Sequence, residues 1–314
     1  MSYASLSLRR HAPTAGFLVL AALWGGSFVA IEVGLHYFPT FLFAALRYAL
    51  AGVVVLGYAA LRPGPTLPRT RDDLLHVAVS GLLVIAAYHA FLYAGEEHVS
   101  SGVAAVVISL APVLTAAIAS VTLPNNQVTP VQAGGFALGI VGVLIVANPT
   151  AGAVGTSLVG VSLVLLSALT FSLGSVLSRP LAPRMGMAAQ QGWAMLVGSI
   201  ILGVGASGAG ESLGAIVWSP TAIASFVYLT FGSAVVGFAI YFALLNDIGP
   251  TRLNLVGYLE PVAAVLVAWL VLGHVASSTT LLGFLVIFAG FAVINHHRLL
   301  RAAKRTQRWT TNAF

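Results

Sequence analysis

The sequence predicts an all-α integral membrane fold: ten transmembrane helices in two inverted five-helix repeats. Three observations lead there. The composition is extremely apolar, ten apolar spans are separated by short loops of alternating charge, and one long segment of the chain recurs without a gap. Apolar residues make up 59% of the 314 residues and charged residues 7%, with mean hydropathy +0.98. A soluble domain carries about 25% charged residues, so a chain this apolar needs lipid as its solvent. Cysteine is absent, which excludes a disulfide framework, a thiol nucleophile and a cysteine metal site.

The spans cover 14–35, 40–61, 74–95, 102–123, 130–147, 157–178, 188–206, 220–245, 252–273 and 278–295. Each is close to the roughly 20 residues that cross a hydrocarbon core of about 30 Å, and lipid offers the backbone no partners, so each is predicted to be a helix. The first follows Arg9-Arg10 like a signal peptide. Its length, its Glu32 and its direct continuation into the second span mark it as a retained helix. The second carries Arg47 and is joined to the first by a short turn around Pro39. A Pro-rich loop, 61–73, leads to the third span, where His89 is flanked by Tyr88 and Tyr93. Pro112 interrupts the fourth. Gly135 and Gly139 give the fifth a GxxxG face suited to close helix packing. A Gly/Ser-rich loop, 206–220, precedes the eighth span. The ninth holds Glu260 directly before Pro261.

Charge placement tests this map. With the N-terminus in the cytoplasm, inside positions hold Arg9, Arg10, Arg62, Arg69, Arg71, Arg179, Arg184, Arg252, Arg298, Arg301, Lys304, Arg305 and Arg308. That is all of the 14 Lys and Arg except Arg47, which lies within a span. Outside loops hold none, as the positive-inside rule requires of a correct assignment. Both termini are then cytoplasmic, and the basic tail at 296–314 serves as a topology anchor beside anionic head groups.

The segment 90–123 aligns with 239–272 at a constant offset of 149 residues. Pro112 falls on Pro261 and Ala111 on Glu260. Beyond it, 134–145 matches 282–294, with Gly135 on Gly283 and Gly142 on Gly290. Earlier, 22–33 weakly matches 168–179. The unit is five helices used twice, as 14–147 and 157–295. An odd number of crossings turns the second copy over, a frequent plan of secondary transporters, with the solute site between the halves near the midplane.

"LWGGSFVAIEVGL" followed by "PTFLFAALRYALAG", and the closing "YLEPVAAVLVAWLVLGHVASSTTLLGFLVIFAGFAVI", resemble the first and last helix pairs of EamA-type transporters of the drug/metabolite transporter superfamily. The resemblance spans nearly the whole chain. It implies ten helices around a central cavity, with alternating access, and export of an amino acid, another metabolite or an amphiphilic compound across the cytoplasmic membrane. The chain departs from the family pattern in three places. "LPNNQ" (123–127) and "LGH" (272–274) stand where an acidic residue is frequent, and Glu32 stands where a basic residue is common. Coupling and solute charge are therefore not transferred from relatives.

Ionisable groups at membrane depth cost about 2.5–3.5 kcal/mol or more and face a cavity or a partner. Glu260 is roughly eight residues, about 12 Å, in from the cytoplasmic end of its helix. Pro261 removes one backbone hydrogen bond there and crowds the Gly257 carbonyl. The pair is either an ionisable, kinked wall of the cavity, with Asn254 and Tyr258 on the preceding turns, or a structural carboxylate that locks packing. Pro112 in the sister helix makes the kink a property of the fold. Arg47 and Glu32, on neighbouring spans, are expected to mask each other as an ion pair; the competing role for Arg47 is to receive a solute carboxylate. His89 is a proton relay or a hydrogen-bonded packing residue. Trp24 is an aromatic candidate for the cavity lining, with Tyr48, Tyr241 and Trp269 beside it.

No G-x-x-x-x-G-K-[ST] occurs, and the one lysine is Lys304 in the tail, so ATP hydrolysis is not expected. Neither H-E-x-x-H nor a nucleophile–base constellation is present, which argues against an intramembrane enzyme. A passive channel or facilitator is the remaining alternative. The expected partners are a small-molecule solute and the bilayer, with no nucleic acid, ATP, cofactor or metal. The oligomeric state stays open, a monomer included.

Overall fold

The computed structural model describes residues 3–122, 129–147, 154–253 and 256–294, with the side chains of 3–12, 154–157, 246, 250–252 and 258 left aside. The segment 123–127, Asn254, the tail 296–314 and the Tyr258 side chain lie outside the described residues. Every regular element described is helical. In chain order they are α1 (Tyr3–Gly34), α2 (Thr40–Ala60), α3 (Arg71–Glu96), α4 (Ser101–Thr122), α5 (Pro130–Ala147), α6 (Val154–Leu177), α7 (Met187–Gly208), α8 (220–253), α9 (Val256–Leu272) and α10 (Ser278–Ile294). Stretches of eight are long and apolar enough to cross a membrane. Those in α9 and α10 are shorter apolar helices. Val53, Ile200, Val204, Leu270 and Leu285 stand exposed on the outside, an apolar surface of the kind lipid covers.

The helices end where their sequences dictate. Asp73 closes a capping box at the start of α3: its backbone N–H donates to Thr70 Oγ1 (3.1 Å) and its carboxylate accepts from Thr70 N–H (2.9 Å). Pro220 opens α8 behind Ser219, whose hydroxyl accepts from Ala222 N–H at 3.1 Å. Gly249, at φ 74°, breaks α8 near its end in a conformation open to glycine.

Two departures from regular α-helix bear on the site. In α4, α-helical structure lapses at Ser109 and Leu110, directly before Pro112, whereas α9 runs through Pro261 as one helix. In α3 and α8 the middle turns are π-helical, over Ser80–Ala87 and Tyr228–Val236. Hydropathy alone predicts neither.

The strongest packing pairs α5 with α10 and α2 with α7. The first pair meets through glycines: a Cβ on Gly135 would sit 2.7 Å from the Gly290 carbonyl, and one on Gly142 2.8 Å from the Gly283 carbonyl. The second pair is tied near both ends. At one, the tie runs through flanking segments: Asp73 of α3 accepts from Arg184 N–H ahead of α7 (2.7 Å), and Trp193 Nε1 of α7 donates to the Thr66 carbonyl of the loop after α2 (2.8 Å). At the other, Glu211 accepts from Phe41 and Leu42 N–H at the start of α2 (3.1 and 2.7 Å). Between the halves, three further pairings have exchanged counterparts: α1 on α9 with α6 on α4, α1 on α8 with α6 on α3, and α2 on α8 with α7 on α3; α1 on α4, α2 on α3 and α4 on α10 have no counterpart of similar extent.

Candidate functional site

Polar side chains converge where α2 meets α3. Arg47 is 3% exposed, and its Nη2 donates to Tyr48 Oη. The guanidinium carbon lies 4.3 Å from the centroid of the Tyr48 ring and 5.5 Å from that of Tyr93, close enough for cation–π attraction in a desolvated place. Tyr48 Oη is 2.5 Å from His89 Nε2, and His89 Nδ1 is 2.8 Å from the Ile85 carbonyl. A carbonyl only accepts, so Nδ1 carries the proton. With the ring neutral, Nε2 accepts from the Tyr48 hydroxyl, whose oxygen in turn accepts from Arg47. The result is a directional chain with a fixed histidine tautomer.

Among the described residues, buried polar atoms remain without partners beside this chain: Arg47 Nε and Nη1, Tyr93 Oη and both carboxylate oxygens of Glu96. Glu96 is 5% exposed, while its neighbour Glu97 is exposed and accepts from Thr40 Oγ1. A buried orphaned polar group costs free energy unless water or a ligand meets it. Arg47 and Glu96 lie within electrostatic range of each other but form no ion pair.

The expected Glu32–Arg47 ion pair is not formed. The Glu32 carboxylate accepts from Ser101 N–H at the start of α4 (2.8 Å) and lies 3.5 Å from His274 Nδ1. A helix N-terminus attracts an anion, and it reaches Glu32 where Arg47, about a turn deeper in the neighbouring helix, is turned onto two tyrosine rings. Next to this contact a cavity of about 180 Å³ is lined by Ser100, Gly102, Val103, Val265, His274 and Thr280.

Glu260 is half-buried on α9, with no hydrogen-bond partner among the described residues. Its helix lies against α1 so closely that a Cβ on Gly25 would sit 2.6 Å from the Glu260 carbonyl. Tyr88, half-buried at the end of the π-helical turns of α3, is within electrostatic range of Glu260, Tyr48, Glu96 and Arg47. Trp24 on α1 donates from Nε1 to the Ser233 carbonyl of α8 (3.2 Å) and packs on Phe238 and Tyr241, each at 5.6 Å. Of the predicted residues, Arg47 and His89 are brought into one network through Tyr48. Trp24 and Glu260 stand on the facing helices α1 and α9. Sequence reasoning missed Glu96, because a glutamate pair before a loop reads as a solvated helix end. It also missed the buried Ser167 of α6, whose hydroxyl donates to the Tyr88 carbonyl at 2.7 Å.

Apolar helices of membrane-crossing length around a buried polar layer define a multi-pass helical membrane protein. The pattern of the EamA-like transporter family matches residues 14–148 and 158–296. The chain belongs to that family, with one unit in each half. Over 301 residues it is 27% identical to the "Uncharacterized inner membrane transporter YedA" of Escherichia coli strain K12, covering 95% of this chain and 96% of that one. It is 28% identical over 290 residues to the "Probable amino-acid metabolite efflux pump" of Salmonella typhimurium, covering 88% and 93%. A crystal structure with 21% sequence identity superposes with a TM-score of 0.62 over 91% of this chain and 97% of that one, which shows a shared fold.

Proposed function

We propose that this chain is a secondary transporter that moves a small metabolite, an amino acid or an amphiphilic compound, out across the cytoplasmic membrane by alternating access. Ten crossings form two inverted five-helix repeats around a central cavity, and both termini are cytoplasmic. The observation that carries the proposal is that the opening helices of the two halves exchange partners: α1 packs on α9 as α6 does on α4, and α1 on α8 as α6 does on α3. Such a pair of related arrangements lets the halves swap conformations around one site. Export is supported by the Salmonella relative, a probable amino-acid metabolite efflux pump by name.

Within that cavity Glu260 carries the coupling proton or meets a solute amine. Arg47, Tyr48 and His89 form one polar wall, and Trp24 and Glu260 belong to the opposite one. Purified protein in liposomes, screened against amino acids and amphiphilic amines with and without a pH gradient, tests this. The expected result is saturable flux of at least one solute class, accelerated by the gradient. Leakage of every small solute in proportion to its concentration would instead mark a passive pore.

A further inference from the structure

Two π-helical stretches occur among the described residues, Ser80–Ala87 in α3 and Tyr228–Val236 in α8. π-Helical turns are rare, short and frequent at functional sites. The 149-residue offset of the internal repeat carries 80–87 onto 229–236, so the device belongs to the repeat unit and occurs once in each half.

Each stretch is held by the opening helix of the opposite half. Ser167 Oγ of α6 donates to the Tyr88 carbonyl where the first stretch ends (2.7 Å), and Trp24 Nε1 of α1 donates to the Ser233 carbonyl inside the second (3.2 Å). Tyr228 returns a hydrogen bond to the Leu23 carbonyl of α1 at 3.0 Å. The helices touch at glycines on both sides. A Cβ on Gly174 of α6 would meet the Val84 side chain at 2.7 Å, and one on Gly26 of α1 would meet Tyr228 Oη at 2.5 Å. A buried serine on a helix ordinarily bonds back to its own preceding turn. Ser167 is fully buried and reaches across to α3 instead.

We infer that Ser167 and Trp24 are paired positioning residues: each holds the π-helical stretch of the opposite half in register, and the two stretches change register together. Shifting a helix by one residue turns everything beyond it by about 100°. Beyond the first stretch lie Tyr88, His89, Tyr93 and Glu96. Beyond the second lie Phe238 and Tyr241. With the topology of the proposed transporter, on which this use of the device rests, the first set faces the outer half of the path and the second the inner half. A joint change of register re-aims one end as it re-aims the other.

Hydrogen exchange followed by mass spectrometry, on the full chain in lipid nanodiscs without solute, tests the pairing. In the wild type, amides of 80–87 and 228–236 should exchange faster than those of 88–96 and 237–245. Ser167→Ala should raise exchange in 80–87 by about fivefold, the effect of one lost hydrogen bond, and should also raise it in 228–236. Trp24→Phe should produce the mirror result. An effect confined to the variant's own stretch overturns the pairing, and no effect at either stretch overturns the positioning role. Should either variant fold poorly, the wild type still decides: π-helical stretches as protected as their flanks contradict the proposal. Flux in liposomes is read separately. Its absence alongside a cross-half exchange effect overturns the transport reading and leaves the paired positioning standing.

Discussion

Arg47 shows how a single buried charge organises its surroundings without an ion pair. One nitrogen is engaged by Tyr48, the cation rests on two tyrosine rings, and two nitrogens stay open. Because Glu32 is held instead by the N-terminus of α4, Glu32→Gln and Arg47→Met should act additively on stability, within about 0.5 kcal/mol. Arg47→Met and Tyr48→Phe share a network and should couple by about 0.5–3 kcal/mol. Unfolding by titration with denaturing detergent measures both cycles, and strong coupling between Glu32 and Arg47 would contradict the geometry. Glu260 offers the functional counterpart. Glu260→Gln keeps the shape and leaves Pro261 in place, so folded protein in the membrane should stay at the wild-type level while gradient-driven accumulation is lost. Solute-for-solute exchange should survive if the carboxylate only carries a proton, and fail if it binds solute. Wild-type transport with an unchanged pH profile would make Glu260 structural.

Among the elements, α5 and α10 pack through backbone contact that leaves no room for a methyl group. A Cβ on Gly290 would sit 2.6 Å from the Gly135 carbonyl, whereas one on Gly134 meets nothing within 4 Å. Gly290→Ala should therefore cost about 1–3 kcal/mol, and Gly134→Ala should stabilise by up to about 1 kcal/mol. Thermal unfolding in detergent distinguishes them. Equal effects would mean that the two helices do not meet at these glycines. The helices themselves were legible from the sequence, because a run of about 20 apolar residues is a signal that needs no partner to be read. Their interior irregularities were not. Hydropathy is blind to backbone register, so the π-helical turns of α3 and α8 left no trace in it. Depth in the membrane suggested that Glu32 and Arg47 were partners, but depth does not reveal which way a side chain points. Glu96 was hidden by its exposed neighbour Glu97, and Ser167 by the ordinariness of a serine in an apolar helix.

For the molecule as a whole, the account requires two halves of opposite orientation. Reporters active in the cytoplasm, fused after Arg71, Arg184 and Arg308, should all report inside. Fusions near His98 and Glu211 should report outside. An inside signal at His98 would remove the odd number of crossings from the first half, and the inversion with it. Two pairings join the halves directly, α2 with α7 through Glu211 and α5 with α10 along glycines, while α1, α3, α6 and α8 meet across the halves in exchanged pairs. The most direct test of alternating access around one site is counterflow. Liposomes holding the protein are loaded with an unlabelled solute found in the screen, then diluted into a trace of the same solute carrying a label. The account predicts transient uptake of label above its equilibrium level, driven by the unlabelled solute leaving. Label that merely equilibrates, at a rate indifferent to the internal load, would contradict it and show a pore.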